Sequence, residues 1–439
     1  MKVASLIVYN LVLLVLSLII VLLLLWRLIV AGKSRRGLLE QLGFIPARKL
    51  SAGPRFWVHA VSVGENTAAK PVWQALLALL PEYRLILSTT TDTGQAMAVK
   101  FAGGQGQPIY FPFDLLPCVW LALARVRPEV IVLMETELWP NFLSVAKRFG
   151  CKVMVANGII SDRSLRGAAR VRPIYRWMTG HIDRFCMQSR EDADRIIRLG
   201  ADPARVTVAG NTKFDEVLTE VPLGEQITLR NALGVGREEP ILLAGSTHPG
   251  EEEPVLRAFR QVKAAHPDAR LIIAPRHIQR AQEIEELAIA HGFAVARRTK
   301  MAVTPPAPDA VIILDTLGEL ARAYALCTAT FVGGSFVPIG GHNILEPLGL
   351  GKPAVFGPHM EKNRDLAHLT LAAGVGFQVA DADALAARWN VFLADRHLLK
   401  EVANKAKAVF QQHSGAGQRC AEAAVALLGR ALGSREVGR

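Results

Sequence analysis

Cysteine is scarce in this chain of 439 residues. Cys118, Cys151, Cys186, Cys327 and Cys420 stand far apart, which excludes a disulfide framework or a paired-cysteine metal site and fits reduced thiols packed as small apolar groups. Aromatic residues make up only 7% of the chain, and it has no aromatic-rich RNA-binding signature, no zinc-finger spacing and no basic heptad helix. The net charge of +12 at pH 7 therefore points to an anionic membrane surface rather than to nucleic acid. Acidic metal signatures are thin as well. The two Asp-x-Asp matches, Asp192/Asp194 and Asp381/Asp383, read as helix-start or helix-surface charges. No short internal repeat is visible, and only the last few residues are biased enough to suggest disorder.

What the chain does have is apolar residues, 51% of the total, enough for more than one core. From Val3 to Trp26 no charged residue occurs. A run of this length can cross a bilayer, which takes roughly 20 residues, whereas a cleaved signal peptide would have a shorter apolar core and a small-residue cleavage site. The expectation is an uncleaved N-terminal transmembrane anchor. Only Lys2 precedes the run, while Arg27, Lys33, Arg35, Arg36, Arg48 and Lys49 follow it, so the positive-inside rule places the body of the chain in the cytoplasm. The segment from Gly32 to Lys49 is basic and partly apolar; it suits either a membrane-surface element that receives a lipid head group or a linker whose charges only fix topology.

Beyond the anchor, short apolar runs alternate with amphipathic ones. Strands are expected at Arg55–His59, Arg84–Thr89, Pro108–Phe111, Val130–Met134, Lys152–Ala156, Arg184–Met187 and Val206–Val208, with helices between them, the first from about Thr67 to Leu80. A second series follows at Ile241–Ala244, Leu271–Ala274, Phe293–Ala296, Val311–Leu314, Ala329–Val332 and Ala354–Phe356. The pattern is that of α/β domains with parallel sheets covered on both faces. The segment from Asp215 to Glu239 carries Pro222, Gly224, Gly234 and Gly236 and no strong strand, which marks an interdomain connection. The resulting division is 1–32 anchor and basic flank, 33–220 first Rossmann-like domain, 221–239 linker, and 240–439 second Rossmann-like domain with terminal helices. Ligands of such sheets bind at the carboxyl ends of strands, so two facing domains would enclose a cleft.

The richest stretch runs from Thr330 to Asn363. A buried strand enters Gly333-Gly334, and Gly340-Gly341 leads through His342 and Asn343 into an apolar helix start. Glycines permit close backbone approach, and free N–H groups at a helix start favour an anion, so a phosphate is the natural occupant. Asn343 and Glu346 share a helix face, where a carboxylate could accept hydrogen bonds from a ribose diol. Ordinary capping by Asn343 is the competing reading.

Six motifs in order then resemble one family: HAVSVGE at His59–Glu65, METELWPN at Met134–Asn141, GNTKFD at Gly210–Asp215, AGSTHPGEE at Ala244–Glu252, APRH at Ala274–His277 and GGHNILEP at Gly340–Pro347. Together they look like the 3-deoxy-D-manno-octulosonic acid (Kdo) transferases of lipid A and lipopolysaccharide biosynthesis. The resemblance covers nearly the whole chain. It implies a GT-B glycosyltransferase at the cytoplasmic face of the inner membrane, moving Kdo from CMP-Kdo to the lipid A precursor with inversion. By the same resemblance Glu65 is the general base, Glu135 and Lys213 assist the transition state, and Pro275, Arg276, Gly318, Glu319, Leu320, Asn343, Ile344, Leu345 and Glu346 contact CMP.

The chemistry of those residue types is consistent with these roles. A single displacement needs a base near the acceptor hydroxyl, and Glu65 follows a buried strand in a glycine-containing turn; the alternative is that it only complements a helix dipole. Glu135 and Glu137 are two carboxylates just past an apolar strand, a costly position without compensation. Lys213 suits a donor carboxylate or phosphate, and Arg276 offers a fork for a phosphate. His277 suits either a ligand or a helix start. A monophosphate leaving group can be stabilised by cations and helix N-termini, so neither metal nor cofactor is expected. Eight residues beyond Glu346 stands Ala354, so the paired glutamates of many retaining GT-B enzymes are missing. Competing functions are a GT-B transferase using another nucleotide sugar, or a membrane-anchored nucleotide-binding protein without turnover.

Overall fold

The computed structural model describes residues 37–161, 164–167, 171–301, 306–307 and 309–429, together with Tyr9 and Leu13. The expected anchor, Val3 to Trp26, lies outside the described residues apart from these two, and among the described residues no helix is long and apolar enough to cross a membrane. Tyr9 donates a hydrogen bond to Asp114 Oδ2 at 2.7 Å.

The chain forms two compact units. The first comprises the chain up to Glu216 and again from His413, and the second runs from Val217 to Gln412. Each is built on a seven-stranded sheet. In the first unit the strands are β1 (Arg55–His59), β2 (Arg84–Thr89), β3 (Gly106–Tyr110), β4 (Val130–Met134), β5 (Lys152–Gly158), β6 (Arg184–Met187) and β7 (Val206–Val208), in the order β3-β2-β1-β4-β5-β6-β7, all parallel. Side chains alternate between its faces as the two-residue period of a strand requires. Trp57, Ile86, Ile131 and Val153 enter one buried cluster, while Phe56, Val58, Leu85 and Val132 enter the other.

The second unit contains β8 (Ile241–Thr247), β9 (Arg270–Pro275), β10 (Val295–Arg297), β11 (Val311–Ile313), β12 (Ala329–Val332), β13 (Ala354–Phe356) and β14 (Gly376–Gln378), in the order β10-β11-β9-β8-β12-β13-β14, also all parallel. In both sheets the strand order reverses beside the first strand, between β1 and β4 and between β8 and β12. Loops diverge there at the carboxyl ends and leave a crevice, the usual ligand position of doubly wound sheets.

Two parts of the chain fold differently from the sequence expectation. The segment read as a linker contains a helix, Leu223–Ala232, which belongs to the second unit. The terminal helix Ala416–Ala426, expected with the second domain, belongs to the first unit: Cys420, Ala421, Ala424 and Val425 join the cluster of Phe56 and Val58. It packs closely on the helix Val63–Leu79, since a Cβ at Gly417 would lie 2.6 Å from Pro71 Cβ.

Asp215 fixes this return, its carboxylate accepting the backbone N–H groups of Gly415 at 2.5 Å and Gly417 at 2.7 Å. Replacing Asp215 with Ala removes two charge-assisted bonds and should cost about 1–2 kcal/mol. Urea denaturation is expected to show that loss, with faster proteolysis near residue 415; unchanged stability would mean that apolar packing alone holds the helix.

Candidate active site

In the first unit the crevice between β1 and β4 is lined by the turn after each strand. The helix that follows β1 starts at Val63, four residues earlier than its pattern suggests, so Glu65 lies inside its first turn rather than in the preceding loop. Ser62 is the N-cap, and its Oγ accepts the Glu65 N–H at 3.3 Å. Glu65 reciprocates: one carboxylate oxygen accepts the Val61 N–H at 2.8 Å and the other accepts the Ser62 hydroxyl at 3.1 Å. This is a variant of the capping box, the Ser-x-x-Glu arrangement in which two side chains satisfy donors at a helix start; here the carboxylate takes the N–H of Val61, one residue before the N-cap. The side chain is only 8% exposed. Burial pushes its pKa up, against the opposing pull of these hydrogen bonds and of the Lys213 charge.

Glu137, after β4, is likewise raised, first by burial and then by the negative charge of Glu65. Glu65, Glu137 and Lys213 thus form one electrostatic group. Glu135 is half-buried at the end of β4, in the left-handed region with φ 55°, and its N–H is held by the Ala156 carbonyl at 2.9 Å.

Lys213 is positioned by an amide network that its motif did not reveal. Asn157 sits at a bulge between β5 and β6 with φ 54°, and its Oδ1 accepts the Thr212 N–H at 3.0 Å. Gln188 Nε2 donates to the Asn157 carbonyl, Asn211 Nδ2 donates to Gln188 Oε1, and Asn211 Oδ1 accepts the Lys213 N–H. The network holds the single helical turn Thr212–Phe214 at the sheet end.

In the second unit the crevice between β8 and β12 contains a different device. Glu251 is fully buried, and its two oxygens accept four backbone N–H groups: His248 at 2.9 Å, Gly334 at 2.7 Å, Ser335 at 2.9 Å and Phe336 at 2.8 Å. The N–H groups that follow the first glycine pair are therefore taken by a side chain of the protein itself; they are distinct from the helix-start donors near Asn343 for which a phosphate is expected. The helix beyond is short, Leu345–Gly349, with Ile344 as its N-cap, and Asn343 Oδ1, one residue earlier, accepts the Leu345 N–H at 3.1 Å.

The residues that remain available cluster beside this loop. Arg276 follows β9, and its N–H donates to the Thr247 carbonyl at 3.0 Å. Its charge is felt by Glu346, whose pKa is raised by burial and lowered in part by Asn343 and Arg276. Asn343 Nδ2 lies 3.5 Å from Glu346 Oε1, so the two do share a face. Ile344 and Leu345 are fully buried, so neither side chain faces a ligand in this structure. Gly318, with φ 85°, and Glu319 precede the helix Leu320–Leu326, and Glu319 bonds with Arg298 and Thr316. Three histidines complete the group: His248 Nε2 is 2.7 Å from His342 Nε2, and the His277 ring meets His248 edge-on at 5.8 Å.

Among the described residues no group of three or more His, Cys, Asp or Glu side chains is placed to hold a metal ion. Of the Asp-x-Asp matches, Asp192 accepts the Ile160 N–H, Asp381 caps Ala384 and Asp383 accepts from Gln261.

Two doubly wound parallel sheets with strand-end crevices define the class, a GT-B-like fold. A solved glycosyltransferase from Rickettsia africae shares the fold, with a TM-score of 0.52 at 11% identity over 87% of this chain and 100% of that one. The family model described as 3-deoxy-D-manno-octulosonic-acid transferase matches residues 36–216. The 3-deoxy-D-manno-octulosonic acid transferase of Bordetella pertussis is 34% identical over 398 residues, 87% of this chain and 91% of that protein. The enzyme of the same name from Chlamydophila psittaci is 31% identical over 80% of each chain. The chain belongs to the Kdo transferase family.

The Glu251 carboxylate supplies four acceptor contacts that no other group in the loop can replace. Changing Glu251 to Gln puts an NH2 group against two N–H donors, at a cost of about 3 kcal/mol or more. Thermal unfolding is expected to fall by many degrees, and a variant as stable as the parent would show that this bond set is not the loop's support.

Proposed function

We propose that the chain transfers Kdo from CMP-Kdo to the lipid A precursor by a single inverting displacement without a metal. Membership of the Kdo transferase family supports donor and reaction class. The observation that carries the mechanism is the placement of Glu65: a buried carboxylate, oriented by two hydrogen bonds and raised in pKa, at the strand-order reversal of the first sheet beside Lys213. A carboxylate held in this way is aligned before substrate arrives and takes the acceptor hydroxyl's proton as the oxygen attacks the anomeric carbon. The Lys213 charge favours its ionised form. The electron pair of the broken bond stays on the phosphate oxygen of the leaving CMP, beside Arg276.

In the same reading Pro275, Arg276, Gly318 to Leu320 and Asn343 to Glu346 hold CMP, and Glu135 supports the transition state from its strained position. The carboxylates that match a metal motif cap helices or pair within the protein, which supports charge neutralisation by Arg276 and helix-start N–H groups instead. Membrane anchoring through Val3 to Trp26, with the two units cytoplasmic, is supported by the charge asymmetry of its flanks.

Glutamine at position 65 separates the two roles of that residue, because Gln also completes a capping box but is no base. Glu65→Gln is expected to keep its melting temperature within a few degrees and to lose about 10²–10⁴ in turnover with CMP-Kdo and lipid acceptor. A variant that melts normally and turns over normally removes Glu65 from the chemistry.

The pH profile provides a second check. Burial holds Glu65 above the ordinary 4.5 of a glutamate, so the acid limb of kcat/KM should lie above that value. Lys213 lowers the pKa by favouring the charged form, so Lys213→Met should move the limb to still higher pH while Lys213→Arg leaves it in place. A limb that does not move means that Glu65 and Lys213 are uncoupled during catalysis.

A further inference from the structure

His248 and His342 lie on the loops after β8 and β12, on either side of the point where the second sheet reverses its order. Their rings are parallel within 7°, with centroids 5.0 Å apart and Nε2 atoms 2.7 Å apart. A 5.0 Å separation is what two imidazoles reach when their Nε2 atoms point at each other along one line, so the rings lie end to end and not face to face. At 2.7 Å two bare nitrogens would repel and two N–H groups would clash, so one Nε2–H donates to the other ring's lone pair. The pair therefore exists in two states only: neutral, with one of its two N–H protons shared between the Nε2 atoms and the other on the accepting ring's Nδ1, or singly charged after a third proton binds at the Nδ1 of the donating ring.

The backbone holds this geometry. Ser246 is the extra residue of a bulge between β8 and β9, with φ 58°, and Gly334 at φ 67° leaves room for the second ring, since a Cβ there would lie 2.9 Å from His342 Cδ2. The charged neighbours set the resting state. His342 is pushed down to about 4, first by burial and then by His248, Arg276, Lys362 and His277. His248 is lowered by burial, with His277 and Arg276 adding to this and Glu251 and Glu252 opposing it. Those two carboxylates are already committed, Glu251 to four N–H groups and Glu252 to Arg280 at 2.6 Å. Arg276 and Lys362 both act on His342, and Glu346 is the carboxylate that feels Arg276, so an anion from outside the chain would meet positive charge beside the pair.

We propose that His248 and His342 form a shared-proton pair that answers the charge of the donor's phosphate, neutral beside the phosphodiester of the nucleotide sugar and protonated beside the phosphomonoester of the departing nucleotide. This rests on the donor reading of Arg276. When the bond from the anomeric carbon to the phosphate oxygen breaks, the electron pair stays on that oxygen and the phosphate passes from one negative charge to two. The pair takes a proton from solvent and supplies the second positive charge beside Arg276; the acceptor's proton leaves separately to Glu65. The pair has a binding role: it holds the leaving group after the charge has developed.

The test is calorimetric titration of the detergent-solubilised full chain with CMP and with cytidine at pH 7.5, where a phosphomonoester with a second pKa of about 6 is already a dianion. Each titration is repeated in two buffers of different ionisation enthalpy. The expected result is net proton uptake with CMP and none with cytidine. His342→Gln and His248→Gln should each abolish the uptake and weaken CMP about tenfold, the equivalent of one lost charge-assisted bond, while leaving cytidine affinity unchanged. Binding of CMP without proton uptake in the parent, or uptake that survives both substitutions, overturns the pair's role and leaves the donor assignment standing. If CMP does not bind the parent at all, both fall.

Discussion

One buried carboxylate organises the second unit. Among the described residues Glu251 makes no salt bridge with Lys or Arg; four backbone N–H groups from two separate loops converge on its oxygens. A charge without water is costly unless fully hydrogen-bonded, and here the compensation comes from peptide dipoles that would themselves be unpaired without it. Because the donors come from His248 on one side and Gly334 to Phe336 on the other, the bond set ties the end of β8 to the end of β12. The glycines serve this contact: a Cβ at Gly333 would lie 2.5 Å from the Ser246 carbonyl oxygen. The His248–His342 pair, and with it the cationic surface around Arg276, follows from that closure.

The first unit reaches a comparable crevice by more local means. A capping box orients Glu65 and starts its helix in one step, and side-chain amides of Asn157, Gln188 and Asn211 set the Lys213 turn. In both units the strand ends carry strain. Glu135, Asn157 and Ser246 adopt left-handed backbone angles without being glycine, at about 1–3 kcal/mol each. All three lie at or beside the carboxyl end of a central strand, where the loops must turn abruptly to enclose a ligand.

Much of this was legible from local pattern. The strands β1, β2, β4, β6, β12 and β13 have the bounds expected from their apolar runs, because a strand buried on both faces leaves a strong apolar signal; the edge strand β7 also has its expected bounds, although Val208 is exposed. β14 gave no such signal: Gly376 to Gln378 is three residues with a glycine at its start and a polar end. The helix Leu223–Ala232 was read as part of a linker because it follows Pro222 and Gly224 lies in its first turn; none of its residues is buried. The Ser62-x-x-Glu65 spacing, by contrast, was in plain view as a capping box, and reading the glycine at position 64 as a loop signal placed the helix start four residues late.

The sequence by itself determined the family, the alternation of strand and helix, two parallel sheets and the residue types that carry charge at the strand ends. These depend on short-range periodicity and on motifs that are contiguous in the chain. Only the tertiary structure decided that the carboxyl-terminal helix returns to the first unit, that the glycine-loop donors face Glu251, and that His248 meets His342 ninety-four positions away. Periodicity says which face of an element is apolar, but not which other face will cover it. A polar atom's partner is likewise set by where distant strands end, and that position is fixed only when the whole sheet has closed its register.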